Sequence, residues 1–202
     1  FTYNSYGQAE TVTDPNGIVT KYEYYAGTGY LKSITNAYGL TEEAKTQFSY
    51  DGVGNLTSIS DPLQNKTTFS YNELNQLTEI KSAAPFNYIT KYSYDKNGNL
   101  IKSEKQADTA GTTWQDVIYT YTILDELQTI TDASGNVTTF SYDGNGNRES
   151  VKDAEGNTTT YAYDSLNLLI SVRDELAITT QYAYDENQNL KEIKDAKNNI
   201  TA

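Results

Sequence analysis

The side chains able to do chemistry in this 202-residue chain are its carboxylates, because it contains neither histidine nor cysteine. A Ser-His-Asp or Cys-His arrangement therefore cannot be assembled, and zinc sites built on imidazole or thiolate are excluded. The carboxylates recur at fixed offsets, as in Asp51/Asp61, Asp143/Asp153, Asp164/Asp174 and Asp185/Asp195. Glycoside hydrolysis uses such a pair. Each of these aspartates, however, also opens a turn in which its side chain caps the backbone. Asp95-Lys96-Asn97-Gly98-Asn99 and Asp143-Gly144-Asn145-Gly146-Asn147 echo a calcium loop, but the glycine falls two places early and the bidentate glutamate is missing. The turn reading accounts for all of them, so no catalytic, cofactor-binding or metal-ligating residue is assigned, and no cofactor is expected.

The elements around those turns read as strands. In Phe140–Asn157 the breaks Asp143-Gly144-Asn145-Gly146 and Asp153-Ala154-Glu155-Gly156 share one chemistry, Asp capping a type I turn and Gly taking positive φ at its fourth position. Runs such as Thr138-Thr139-Phe140-Ser141-Tyr142 lie between them, β-branched and aromatic, with Phe140 and Tyr142 on one face. Two strands therefore make one unit.

The unit recurs along the whole chain. An aromatic-x-Tyr pair begins at Phe1, Tyr22, Phe48, Phe69, Tyr92, Tyr119, Phe140, Tyr161 and Tyr182, in steps of 21, 26, 21, 23, 27, 21, 21 and 21 residues. An aliphatic pair three residues apart follows, as in Leu56/Ile59, Leu169/Val172 and Leu190/Ile193. A unit of this size cannot bury its own apolar face, so neighbours must stack. The three long steps each add an even number of residues after the second strand, which keeps downstream side chains on their face. Those extras are expected to lengthen hairpins near Leu40–Lys45, Ala83–Asn87 and Asp108–Gly111 on one edge.

Two three-residue turns per unit would throw each aromatic pair onto the opposite face from the last. One residue per repeat must be absorbed, by a bulge in the second strand or a four-residue loop, and the aliphatic spacing favours the bulge. A bulge places Phe48, Tyr50, Leu56 and Ile59 together. It likewise groups Tyr161, Tyr163, Leu169 and Val172, and Tyr182, Tyr184, Leu190 and Ile193, beside Phe140 and Tyr142. These fourteen residues are the expected repeat core. The lone tryptophan, Trp114, follows the longest insertion and with Asp108 is the candidate surface contact. The tyrosine stripe also suits sugar rings, but a stripe present in every repeat is what packing requires.

Composition narrows the partners. Twenty-seven acidic against 15 basic residues give a net charge of −12, the opposite of what nucleic acid or an anionic membrane would select. No apolar run is long enough for a spanning helix. The sequons at Asn55, Asn65, Asn136, Asn157 and Asn199 coincide with turn positions. Both ends fall inside a repeat, the expectation for a piece of a longer array.

The recurring Tyr50-Asp51-Gly52-Val53-Gly54-Asn55-Leu56 and Tyr94-Asp95-Lys96-Asn97-Gly98-Asn99-Leu100 resemble the YD-repeat or Rhs family across essentially all 202 residues. Several copies depart from the motif: Asn4 and Asn72 replace Asp, Tyr121-Thr122-Ile123-Leu124-Asp125 loses it, and Gln188 replaces Gly. The resemblance implies a strip of β-hairpins that spirals into a hollow shell, enclosing a toxic C-terminal domain in bacterial members. The expectation is thus an all-β, repetitive antiparallel β-hairpin strip over residues 1–202, curved or spiralling, with about two strands per 21-residue repeat. Its expected role is non-catalytic, a secreted or cell-surface bacterial shell segment whose partners are neighbouring repeats or an encapsulated toxin domain. The alternative is an extracellular adhesive or fibrous array that contacts carbohydrate or a cell-surface protein, or self-associates.

Overall fold

A computed structural model describes residues 1–108 and 110–201; Thr109, inside the turn expected at Asp108–Gly111, and Ala202 lie outside the described residues. Nineteen strands and no helix form among the described residues. The chain divides into two units, residues 1–93 with 104–114, and residues 94–103 with 115–202. In the first, β1 (Thr2–Tyr3), β2 (Ala9–Thr13), β3 (Val19–Tyr24), β4 (Leu31–Asn36), β5 (Ala44–Tyr50), β6 (Leu56–Ser60), β7 (Lys66–Tyr71), β8 (Leu77–Lys81) and β9 (Ile89–Tyr94) follow one another as an antiparallel meander. After β10 (Leu100–Gln106), the second carries β11 (Trp114–Tyr121), β12 (Leu127–Thr131), β13 (Val137–Tyr142), β14 (Arg148–Lys152), β15 (Thr158–Tyr163), β16 (Leu169–Arg173), β17 (Thr179–Tyr184), β18 (Leu190–Lys194) and β19 (Ile200–Thr201) in the same manner.

The turns close as the aspartate chemistry demands. Asp143 N–H donates to the Asn147 carbonyl at 2.9 Å and Gly146 N–H to the Asp143 carbonyl at 3.1 Å, a three-residue loop repeated at Asp153–Asn157. Gly146 and Gly156 have φ of 84° and 93°. Gly54 is the tightest case, with φ 100° and the Tyr30 hydroxyl standing where a Cβ would project. The Gly-rich turn after β3 absorbs one more residue, closing through Tyr25 N–H to the Tyr30 carbonyl at 2.8 Å.

The bulge is present. Phe48 pairs with Ile59 and Tyr50 with Leu56, Ser49 faces Ser58, and Thr57 has no partner on β5. Directly opposed residues share a face, so Phe48, Tyr50, Leu56 and Ile59 stand together. The same slip recurs between Ser141 and Tyr142, between Ala162 and Tyr163, and between Ala183 and Tyr184. In the next ladder Ile59 pairs with Thr67, which returns Phe69 and Tyr71 to the aromatic face.

The insertions lengthen their hairpins to different extents. Of the four extra residues after β4, two extend the strands by the added pair Asn36↔Ala44 and two enlarge the loop, whereas both extra residues after β8 go into the loop, which Ser82 N–H to the Tyr88 carbonyl closes. The first loop folds back, Tyr38 N–H donating to the Val19 carbonyl at 2.9 Å. The third insertion does lengthen its strands, making β11 the longest at 8 residues.

Apart from the exposed Phe1, Tyr3 and Leu190, the aromatic–aliphatic repeat positions are half-buried, and no hydrophobic side chain among the described residues is fully buried. The buried side chains are instead Ser33, Thr35 and Ser58, on the opposite, polar face, and Gln106.

Candidate functional site

Each turn aspartate is consumed by its own loop. Asp143 Oδ1 accepts from Asn145 N–H and Asn147 N–H, both at 2.9 Å, and Oδ2 accepts from Asn147 Nδ2 at 3.0 Å. Asp95, the other calcium-like position, accepts likewise from Asn97, Asn99 and the Asn99 amide. These donors hold the Asp95 and Asp143 carboxyls below the ordinary aspartate range, and Asp108 is pulled down to about 2 by Thr113 and Thr112. Asp51 and Asp61 sit at opposite ends of β6, roughly 20 Å apart at 3.3 Å per residue. Glycosidase carboxyls lie within ~10 Å of each other, so the repeating offsets do not assemble that pair.

The sequons find the same explanation. Asn55, Asn65, Asn136, Asn157 and Asn199 each donate their side-chain amide to Oδ2 of the aspartate four residues earlier, at 2.7–2.9 Å. The nitrogen a glycan would need is already the turn's third bond to its carboxylate.

A second set of polar contacts escaped the sequence reading. The hydroxyl of the second aromatic donates to a carbonyl one repeat back: Tyr24 to Ala9, Tyr71 to Leu56, Tyr121 to Leu100, Tyr142 to Leu127, Tyr163 to Arg148 and Tyr184 to Leu169, at 2.8–3.2 Å. The bulge creates the need. The β6/β7 register ends at Ser58↔Thr68, so Leu56 has no partner on β7, and an unpaired carbonyl at that depth is costly. The signal was in the chain: the second aromatic is Tyr in all nine repeats, while the first is Phe or Tyr.

Three replacements of the turn glycine add bonds between repeats as well. Asn75, Asp125 and Asn167 hold φ of 61–64° where other copies have glycine, and their side chains accept from the preceding repeat on the same edge. Asn55 Nδ2 reaches Asn75 at 2.9 Å, Asn99 Nδ2 reaches Asp125 at 2.7 Å, and Asn147 Nδ2 reaches Asn167 at 2.8 Å. Asn72 and Thr122 still close their turns, with Asn72 N–H to Gln76 at 3.0 Å and Thr122 N–H to Glu126 at 2.8 Å.

The residues singled out for contact are placed as follows. Trp114 is half-buried at the start of β11 with the Lys91 ammonium 4.9 Å from its ring centroid. The Asp108 carboxylate accepts from Thr112 N–H and Thr112 Oγ1 at 3.0 and 2.8 Å. Beneath that tip, buried Gln106 accepts from Ile89 N–H and donates to the Asp108 carbonyl. The fourteen repeat-core residues line the aromatic face; Leu190 is 51% exposed and the others are half-buried.

On the polar face, Glu23 Oε2 accepts from Ser33 Oγ at 2.6 Å and Lys45 Nζ at 2.7 Å. The Lys45 and Ser33 bonds bring its carboxyl down to about 2. A cavity of about 630 Å³ opens beside it, lined in part by Tyr6, Gln8, Glu10, Tyr24, Tyr25 and Thr28. Its lining combines aromatic rings with polar side chains, of which Gln8 is bonded to Asn4 and to the Gly29 carbonyl.

The sequence model described as RHS Repeat matches residues 50–85, 124–158, 149–177 and 163–200, more than half of the chain. No curated protein matches. Among solved structures, the crystal structure of TcdB2-TccC3 is similar over 98% of this chain and 15% of that one, at 16% identity and a TM-score of 0.50. The TcdB2-TccC3 structure without its hypervariable C-terminal region gives the same coverage and identity, with a TM-score of 0.49. The chain thus spans about 15% of the length of the structures it resembles.

Proposed function

The chain belongs to the RHS repeat family, and from that membership we propose that it is a non-catalytic wall segment of a secreted or cell-surface bacterial shell enclosing a toxin domain. The carrying observation is the use of its chemistry: turn carboxylates, most turn amides and six of the repeat tyrosine hydroxyls bond within or between repeats, as a scaffold requires. We take residues 1–202 as one array, with the fourteen aromatic and aliphatic residues as its packing face and neighbouring repeats of the parent polypeptide as its first partners. The fold shared with TcdB2-TccC3 supports the shell reading. Limited proteolysis of the parent polypeptide tests it. An enclosed toxin region would resist cleavage until the array is denatured; a C-terminal region cut as fast in the native protein as in urea would end the proposal.

A second reading, an array that binds carbohydrate or a cell-surface protein, draws on the cavity beside Tyr6 and Tyr24. Tyr6 is 85% exposed, as a ring that stacks on a sugar would be. On a glycan array, binding lost in Tyr6→Ala would favour this reading, and no binding by either form would remove it. Trp114 and Asp108 would act as contacts in either reading only after leaving Lys91 and Thr112.

A further inference from the structure

Three Asn-Gly steps stand at exposed turn tips: Asn16-Gly17, Asn97-Gly98 and Asn145-Gly146. All three occupy the same kind of loop, with the glycine N–H donating to the carbonyl of the aspartate that opens it. The distances are 3.0 Å for Gly17 to Asp14, 3.2 Å for Gly98 to Asp95 and 3.1 Å for Gly146 to Asp143. The side-chain amides differ. Asn97 Nδ2 donates to Asp125 Oδ1 at 2.8 Å and Asn145 Nδ2 to Asn167 Oδ1 at 3.2 Å. For the Asn16 side chain no hydrogen bond is found among the described residues; only its backbone N–H is engaged, with Asp14.

We propose that Asn16 is a site of spontaneous deamidation in the folded protein, and that the tip-to-tip amide bonds protect Asn97 and Asn145 from the same reaction. Gly17 N loses its proton and attacks Asn16 Cγ; a C–N bond forms, closing a succinimide, and the side-chain nitrogen leaves as ammonia with that proton. Water then opens the ring at either carbonyl, giving aspartate or isoaspartate, with no redox partner. Glycine after the asparagine leaves the attacking nitrogen free of Cβ crowding. An amide pinned to the next repeat must give up its acceptor before Cγ can swing onto the glycine nitrogen. The glycine restraint is shared by all three loops, so the amide partner is what separates them. The aspartyl product places a second carboxylate beside Asp14, whose Oδ1 holds Asn16 N–H and Ile18 N–H. The isoaspartyl product lengthens the backbone of a three-residue loop and breaks its closure.

The test is peptide mapping by mass spectrometry of the 202-residue chain aged in mildly alkaline buffer, beside the same chain unfolded in urea. Unfolded, the three sites should convert at comparable rates. Folded, Asn16 should lead the other two by roughly threefold to tenfold, the span that one net hydrogen bond supports. Asp125→Gly keeps a residue suited to positive φ but removes the acceptor, and should raise Asn97 to the rate of Asn16 while Asn145 stays slow. Asn167→Gly should do the reverse. Equal rates at the three sites in the folded chain would overturn the proposal, as would both glycine variants retaining their circular dichroism with Asn97 and Asn145 unchanged.

Discussion

Phe140 and Tyr142 stand two residues apart on one face, yet only Tyr142 needs a hydroxyl, because only it reaches the Leu127 carbonyl. Tyr142→Phe should therefore cost about 1 kcal/mol in urea denaturation, the price of leaving that acceptor without its partner. Tyr161→Phe, at the position where Phe48, Phe69 and Phe140 occur naturally, should change stability by no more than ~0.5 kcal/mol. The turn carboxylates predict a pH dependence. Asp143 and Asp153 are held low chiefly by the amides of Asn147 and Asn157, and Asp108 lies at about 2. A depressed folded value means stability is present above the unfolded value of ~3.9 and is lost as pH falls through the folded one. The thermal midpoint should drop as pH is lowered from about 4 toward 2; a flat midpoint across that window would contradict the assigned bonds. At this scale the aspartates and turn glycines were legible because loop chemistry is local. The tyrosine hydroxyls and the Asn-to-Asn bonds were not, since their partners lie a repeat away.

At the scale of the element, the bulge decides which side of the sheet each residue takes. Deleting Thr57 removes the residue that has no partner on β5 and would turn Leu56 away from Tyr50, or turn every later side chain over. Such a variant should lose its strand signal in circular dichroism at temperatures where the parent is folded, whereas removing two residues from the loop at Ala83–Asn87 should be tolerated. The aliphatic spacing of three made this bulge readable. The fate of the insertions was readable in part: the third lengthens its strands as expected, but the first ladder stops at Asn36↔Ala44, where Tyr38 turns back to Val19, a contact no pattern in residues 37–43 announces.

For the whole molecule, 22.5 kDa of chain presents 13370 Å² to solvent, against roughly 9,500 Å² for a folded protein of that mass. The strip and its strand count followed from the sequence, but the absence of a fully buried apolar side chain among the described residues did not. Periodicity shows which side chains share a face, not what lies over it. Stability must then come from neighbouring strands, in sums over adjacent pairs. Truncation after Tyr184 should leave the preceding strands folded, with a lower urea midpoint but an unchanged spectrum per residue. Collapse of the entire chain on that truncation would show that its stability is not shared out pairwise.

Among the described residues of each unit, the ladders run between strands consecutive in the chain. A motor or translocase gripping one end would therefore never have to break more than one ladder at a time. The load needed to unravel such an array is set by a single hairpin, however many are strung behind it. What grows with the number of repeats is the distance over which the force must act, so length confers delay without adding strength.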